Sequence, residues 1–430
     1  MRLPLLMTLA LTACSGKTND LPGTSPDVSE VPMTETPPVA TPDAPTLTTT
    51  SAVTAESASA VNQAGLAMQG KLFTDSTTND VFSPTSIEMA FGLLAAGTQG
   101  DTAAGLYTAL NLDPTKANDQ LAALMGAYAD LGATEAVSLD VANRIWMDAT
   151  LQVNDGFQAV AEHAFGAGAE VLPFGTDASG SRVRINEWVS DNTQGFIPEL
   201  LQPGSIDGGT RMVLTNAVYF QSDWATAFDP ALTQDKPFTR DDGVVVQAPT
   251  MHSDVPLAYA QVDGAQVVVL PYQGERVEFI VALPTDQSVD EMMAAMTADS
   301  LDSWLAQTQP MPVDLDLPKF ELRATYDRLP GVMSDLGAGQ VFTAQADLSG
   351  ISSTEDLFVD GAVHQAYLKV DETGTEAAAA TAITVRATSA MPMPPPPVFH
   401  ADKPFWFAIR DKATGTLLFT GRVADPTVES

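Results

Sequence analysis

The 430-residue chain has one thiol, Cys14, and four imidazoles, His163, His252, His364 and His400. No histidine falls in an H-E-x-x-H pair and no serine in a G-x-S-x-G turn, so neither a zinc-activated water nor a serine nucleophile is written in a known pattern. A Cys/His nucleophile would need Cys14, which sits in a leader-like segment, and ligands at metal-binding spacing are missing. Gly16-Lys17-Thr18 ends like a phosphate loop, but Leu11 stands where the first glycine belongs. The chain is therefore expected not to be an enzyme, and no metal or cofactor is expected.

The segment with unusual potential is Gly374-Thr375-Glu376-Ala377-Ala378-Ala379-Ala380-Thr381. Four alanines in a row favour a helix or plain linker on propensity alone. With a strand's two-residue period, Thr375, Ala377, Ala379, Thr381, Ile383 and Val385 share one face, all uncharged. The other face holds Glu376 and Arg386, so the segment could enter a sheet without burying a charge. The nearby run Pro394 to Pro397 is foreign to a central strand, so the segment is expected to start as a loop.

The stretch from His364 through Asp371-Glu372-Thr373-Gly374 to Ala378 resembles the hinge of the serpins, the serine protease inhibitors. So do Phe82-Ser83-Pro84-Thr85-Ser86, Asn186-Glu187-Trp188 with Thr193-Gln194-Gly195-Phe196-Ile197, and Thr215-Asn216-Ala217 with Trp224 and Phe228. Leu317-Pro318-Lys319-Phe320, Asp347-Leu348-Ser349-Gly350, Lys403-Pro404-Phe405 and Leu418-Phe419-Thr420-Gly421-Arg422 continue the match in the family's order. The resemblance implies an α+β serpin fold: an N-terminal helical region, large mixed β-sheets and an exposed reactive-centre loop at about 374–398. It implies a suicide substrate that traps a serine endopeptidase as an acyl-enzyme when the cut loop inserts into the central sheet. Counting from Glu372 by the family's usual spacing gives Thr388-Ser389 as the reactive bond, suited to an elastase- or subtilisin-like enzyme. Arg386-Ala387 would suit a trypsin-like one, and Met391 and Met393 are further alternatives, although Pro394 after Met393 opposes cleavage there. By resemblance, Ser83, Ser86, Asn216 and His364 form a hydrogen-bonding gate behind the sheet. Lys319 and Glu372 pair near its top beside Trp224. The rival reading is a non-inhibitory serpin-fold surface lipoprotein whose loop is merely cut.

At the N-terminus, Arg2 precedes an apolar stretch from Leu3 to Leu11 that is too short to span a bilayer. Its ending, Leu11-Thr12-Ala13-Cys14, looks like a bacterial lipobox whose cysteine is lipidated. Residues 1–13 are thus expected to be a lipoprotein signal, and Cys14 an anchor in a bacterial membrane, the outer membrane or cell surface favoured. An ordinary signal peptide with an incidental cysteine is the alternative. Residues 14–57, rich in Pro, Thr and Ser, are expected to be a disordered tether, and 58–430 the serpin domain.

Within that domain Val61, Ala64, Ala67, Met68 and Leu72 recur at helical spacing, and Ile87–Ala96 and Leu121–Leu131 also read as helices. Val267–Leu270, Phe279–Leu283 and Val313–Leu317 read as strands, which suggests helices in the first half and strands in the second. The 54 acidic against 20 basic residues, net −34, argue against nucleic acid and heparin-like polyanions as partners. A monomer is expected.

Overall fold

The computed structural model describes residues 52–134, 136–165, 169–353, 356–375 and 395–428, all within one compact unit, Leu47–Ser430. Helix α1 (Ala55–Leu72) starts ahead of the expected domain boundary at 58, because Thr54 and Ser57 cap it reciprocally. Its buried Gln69 is satisfied by the Trp406 indole at 2.8 Å and the Thr420 hydroxyl at 2.7 Å. Ala67 of the expected apolar stripe is exposed, and Leu66 faces the core instead.

The chain continues through β1 (Asp80–Phe82), α2 (Pro84–Ala95), α3 (Gly100–Ala109), α4 (Ala117–Gly132), β2 (Ser138–Asp148) and α5 (Asp155–Phe165). Then come β3 (Ala169–Leu172), α6 (Phe174–Asp191, broken at Asp177), β4 (Met212–Asp223), β5 (Gln234–Thr239) and β6 (Val245–Ser253). β7 (Pro256–Val262), β8 (Ala265–Pro271) and β9 (Val277–Pro284) lead into α7 (Val289–Ala295) and α8 (Ala298–Gln307). The last section holds β10 (Gln309–Pro312), β11 (Asp314–Pro318), β12 (Phe320–Tyr326), α9 (Leu329–Met333) and β13 (Gly361–Val370). It ends with β14 (Gly374–Thr375), β15 (Val398–His400), β16 (Phe405–Asp411) and β17 (Leu417–Val423).

The strands form three sheets: β1-β17-β16-β9-β8-β7-β10, β15-β11-β6-β5, and β12-β13-β14-β4-β2-β3. The expected helix Ile87–Ala96 overruns α2 by its capping residue Ala96, the other expected helix and the first two strands lie within α4, β8 and β9, and the last strand overlaps β11. The expected division into a helical half and a strand half is not what forms. β2 and β4 come early and lie in the six-stranded sheet, while α7 and α8 come late. β2 (SLDVANRIWMD) is mostly half-buried and mixes polar with apolar residues, so it lacks the apolar run of β9.

β4 explains how the site is positioned. It is buried almost throughout, with Val218 and Phe220 in a core shared with the seven-stranded sheet. Val213 and Ala217 instead pack with Ile185 and Val189 of α6. Each of the valine, isoleucine and phenylalanine side chains among these, fully buried, contributes about 1.5–3 kcal/mol. The six-stranded sheet is thus held between the seven-stranded sheet and α6.

Candidate functional site

The strands β13 and β4 run parallel and pair directly from Gly361–Val213 to Tyr367–Tyr219. Above that point they part, and β14 lies between them, with Thr375 opposite both Val370 and Ser222 and Gly374 opposite Asp223. A glycine is required here: a Cβ at 374 would lie 2.2 Å from the Ser222 carbonyl oxygen. The Thr375 side chain points inward, fully buried, and its hydroxyl is 2.6 Å from the Tyr272 hydroxyl. The start of the loop is therefore already a strand of the sheet.

The hairpin before it is tied down on several sides. Trp224 donates its backbone N–H to Thr373 O at 2.8 Å and its indole N–H to Asp371 O at 2.9 Å. Its ring stacks on Tyr272, with centroids 4.5 Å apart. Lys319 Nζ lies 2.7 Å from Glu372 Oε2, and the Thr233 hydroxyl donates to Glu372 Oε1 at 2.8 Å. Burial alone would raise the Glu372 carboxyl, but hydrogen bonds from Lys319 and Thr233 outweigh it and hold the group below the ordinary range. Asp223 moves the other way, raised by burial and by the neighbouring Asp371 charge.

Lower down, at the centre of the β13–β4 pairing, His364 stands directly opposite Asn216. The Ser83 backbone N–H donates to His364 Nε2 at 3.1 Å. That makes Nε2 the acceptor, so Nδ1 carries the proton and donates to Asn216 Oδ1. Burial pushes the imidazole down to about 3, which keeps it neutral. The Asn216 amide donates to the Ser86 carbonyl at 2.8 Å and the Ser86 hydroxyl at 2.6 Å. Ser83 caps α2, its hydroxyl accepting the Ser86 N–H at 3.2 Å. The structure thus brings Ser83, Ser86, Asn216 and His364 together from α2, β4 and β13.

Several further residues join this cluster that the sequence did not mark as members of it. Asn143 on β2 accepts from the Asn216 amide and donates to the Ser86 carbonyl. Tyr326 stacks on His364 at 6.3 Å and donates to Asp80 at 3.2 Å, and Asp80 pairs with the fully buried Arg422 at 2.6 Å. Phe196, just past α6, stacks on both Tyr219 and Tyr367, at 4.5 and 5.4 Å. It covers the last direct pair of β4 and β13, where the two strands begin to part. Only register and tertiary folding bring these residues to the cluster.

Of the expected hinge residues, Gly374 and Thr375 are described; Glu376, Ala377, Ala378, Ala379, Ala380 and Thr381 lie outside the described residues, as do Arg386, Ala387, Thr388, Ser389, Met391, Met393 and the lipid-site Cys14, while the expected loop's far end at 398 already belongs to β15. Among the described residues, no group of three or more His, Cys, Asp or Glu converges to hold a metal ion, and no helix is long and apolar enough to cross a membrane.

A family model described as Serpin (serine protease inhibitor) matches residues 59–426. The leukocyte elastase inhibitor of Sus scrofa is 35% identical over 362 residues, covering 81% of this chain and 93% of that protein. An uncharacterized serpin-like protein of Thermococcus kodakarensis is 32% identical over 350 residues, 81% of each chain. The crystal structure of tengpin, a thermophilic serpin in its native state, matches with a TM-score of 0.79 at 25% identity, covering 87% of this chain and 95% of that one.

Proposed function

The chain belongs to the serpin family, and from that premise we propose that it inhibits a serine endopeptidase as a suicide substrate. The protease's serine attacks a carbonyl in the loop beyond Thr375, the amine on its C-terminal side leaves, and the loop stays esterified to the enzyme. The freed segment then extends β14 down between β13 and β4 before water can reach the ester. Strand addition by serpin loops is a recognised mode of recognition and of strain release.

The observation that carries this reading is the seat of Gly374 and Thr375 between two strands that pair with each other only as far as Tyr219 and Tyr367. A strand added there needs small, uncharged inward residues, and Thr375, Ala377, Ala379 and Thr381 meet that need in sequence. Thr388-Ser389 is the favoured bond, with an elastase- or subtilisin-like target. The relative named leukocyte elastase inhibitor supports that class. A trypsin-like enzyme at Arg386-Ala387 is the alternative. The same proposal places the protein outside the cell as a monomer, anchored through lipid on Cys14 to the outer membrane or cell surface by a tether that ends before α1.

Incubation with elastase, subtilisin, chymotrypsin and trypsin, followed by denaturing gels and intact mass, tests the reading. A denaturant-resistant adduct of enzyme and cut chain is expected, and the released C-terminal peptide fixes the bond. Cleavage with neither adduct nor gain in thermal stability sinks the reading and leaves a binding module.

A further inference from the structure

Three aromatic rings cover the point at which β13 and β4 part, and inhibition as proposed above gives them no task. Tyr367 and Tyr219 are direct partners in the register. By alternation they lie on the face opposite Ala366, Leu368, Val218 and Phe220, which pack into the core. Their ring centroids are 6.3 Å apart. Phe196 lies across both, 4.5 Å from Tyr219 at an interplanar angle of 3° and 5.4 Å from Tyr367. The turn that delivers it follows α6 and takes positive φ at Gln194 (52°) and Gly195 (82°).

Arg323 holds this group from the edge strand β12. It stands directly opposite Tyr367, its guanidinium lies over the Tyr367 ring at 4.8 Å, and its Nη1 donates to the Phe196 carbonyl. A cation over an aromatic face and a charge-assisted hydrogen bond both favour this arrangement. Phe196 is therefore fixed by the sheet itself as well as by its own turn.

The register of the hinge fixes what arrives beneath the Phe196 ring. Thr375 is opposite Val370 on β13 and Ser222 on β4, antiparallel to both. Each residue further along an entering strand pairs one residue further back on both neighbours. Three steps bring Ala378 opposite Tyr367 and Tyr219 at once. The two-residue period turns its side chain away from the buried side taken by Thr375 and toward Phe196. A strand between the tyrosines sets them about two strand spacings, roughly 10 Å, apart. A flat ring can then settle between them only over a small side chain. We propose that Phe196 is a positioning residue for strand entry, closing over the new strand at residue 378 and accepting only a small side chain there. Its effect on trapping rests on the inhibitor reading; the fit itself needs only that the cut loop enters the sheet.

Ala378→Leu is compared in the wild-type and Phe196→Ala backgrounds of the full-length protein. Two quantities are read: adduct formed per cleavage, and the gain in melting temperature when subtilisin cuts the loop. Taking the gain, rather than the melting temperature itself, cancels what Phe196 contributes to the uncut fold. With Phe196 present, overpacking by leucine is expected to lower adduct per cleavage about three- to tenfold and to shrink the gain. In Phe196→Ala both effects of Ala378→Leu should disappear, because the slot is then open. Phe196→Gln, whose flexible side chain can leave the slot, carries the comparison should Phe196→Ala fail to fold. The same leucine penalty in every folded background, or no penalty with Phe196 present, overturns the proposal. If no protease forms an adduct, the inhibitor reading fails while the gain on cutting still decides the role of Phe196. A wild-type chain that gains nothing on cutting overturns both, since no strand has then entered.

Discussion

The hydroxyls of Thr375 and Tyr272 meet at 2.6 Å in the interior. One belongs to the first inward side chain of the loop, the other to the residue immediately after β8, in the sheet behind. Burial raises the Tyr272 phenol, so it remains protonated and able to donate. Tyr272→Phe removes that donor while keeping the ring on Trp224. Leaving one buried group unsatisfied costs about 1–3 kcal/mol. Hydrogen exchange at Gly374 and Thr375 should quicken and the melting temperature fall; unchanged exchange at these two amides would show that the bond does not hold the hinge.

Thr375 tests insertion directly. Its side chain is fully enclosed, so Thr375→Arg must either keep the hinge out of the sheet or bury an unpaired guanidinium. The effective penalty for a buried charge is several kcal/mol, and each 1.4 kcal/mol is about tenfold in partition. The variant should be cut at the wild-type bond with normal speed but give at least about tenfold less adduct per cleavage. Undiminished adduct would mean that trapping does not require Thr375 to enter.

The Lys319–Glu372 pair fixes the hairpin that feeds the hinge. Glu372→Gln removes one charge, at about 1–3 kcal/mol with Lys319 partly exposed. The pH dependence follows from the lowered carboxyl of Glu372. Its contribution is complete above the ordinary glutamate value of about 4.3 and is lost as pH falls through the lower folded value. Urea midpoints of wild type and Glu372→Gln should therefore differ most near neutrality and converge in strong acid. A constant difference down to the lowest pH would exclude this pairing as its source.

The sequence made legible what is local or strongly patterned. β8 and β9 show in apolar runs, and Thr375, the first residue of the uncharged face, takes the buried position that face implies. The resemblance brought Ser83, Ser86, Asn216 and His364 to one site because their motifs are distinctive. Asn143 escaped because an asparagine inside a half-buried strand has no local signature; it matters only because register sets it opposite Asn216. Tyr272 escaped for the same reason, and Phe196, although inside a matched motif, gave no sign of its stacking partners, which lie far along the chain. The early start of α1 escaped because Thr54 and Ser57, which form its capping box, are also ordinary tether residues.

Glu88 gives the sharpest prediction from burial alone. It lies on α2, two residues beyond Ser86, is 1% exposed, and neither carboxyl oxygen has a hydrogen-bond partner among the described residues. Burial without a counter-charge raises its pKa well above the ordinary value. A raised carboxyl favours the folded state fully below the unfolded value of about 4.3, and that advantage is lost as pH rises toward the folded value. His364 has the opposite slope: its imidazole is held down to about 3, so unfolding takes up a proton between there and about 6.5, and stability falls as pH drops through that window. Replacing buried ion pairs by apolar residues of similar volume is often neutral or stabilising by about 1–4 kcal/mol, and a lone buried carboxylate lacks even the partner that offsets its desolvation. Glu88→Met should therefore raise the urea midpoint at pH 8, with a smaller gain near pH 4.5, leaving the His364 slope in place. Because α2 also carries Ser83 and Ser86, a stiffer α2 should slow opening of the sheet, so adduct yield per cleavage should fall as stability rises. A destabilised Glu88→Met at pH 8 would mean that the carboxylate is solvated or paired in solution.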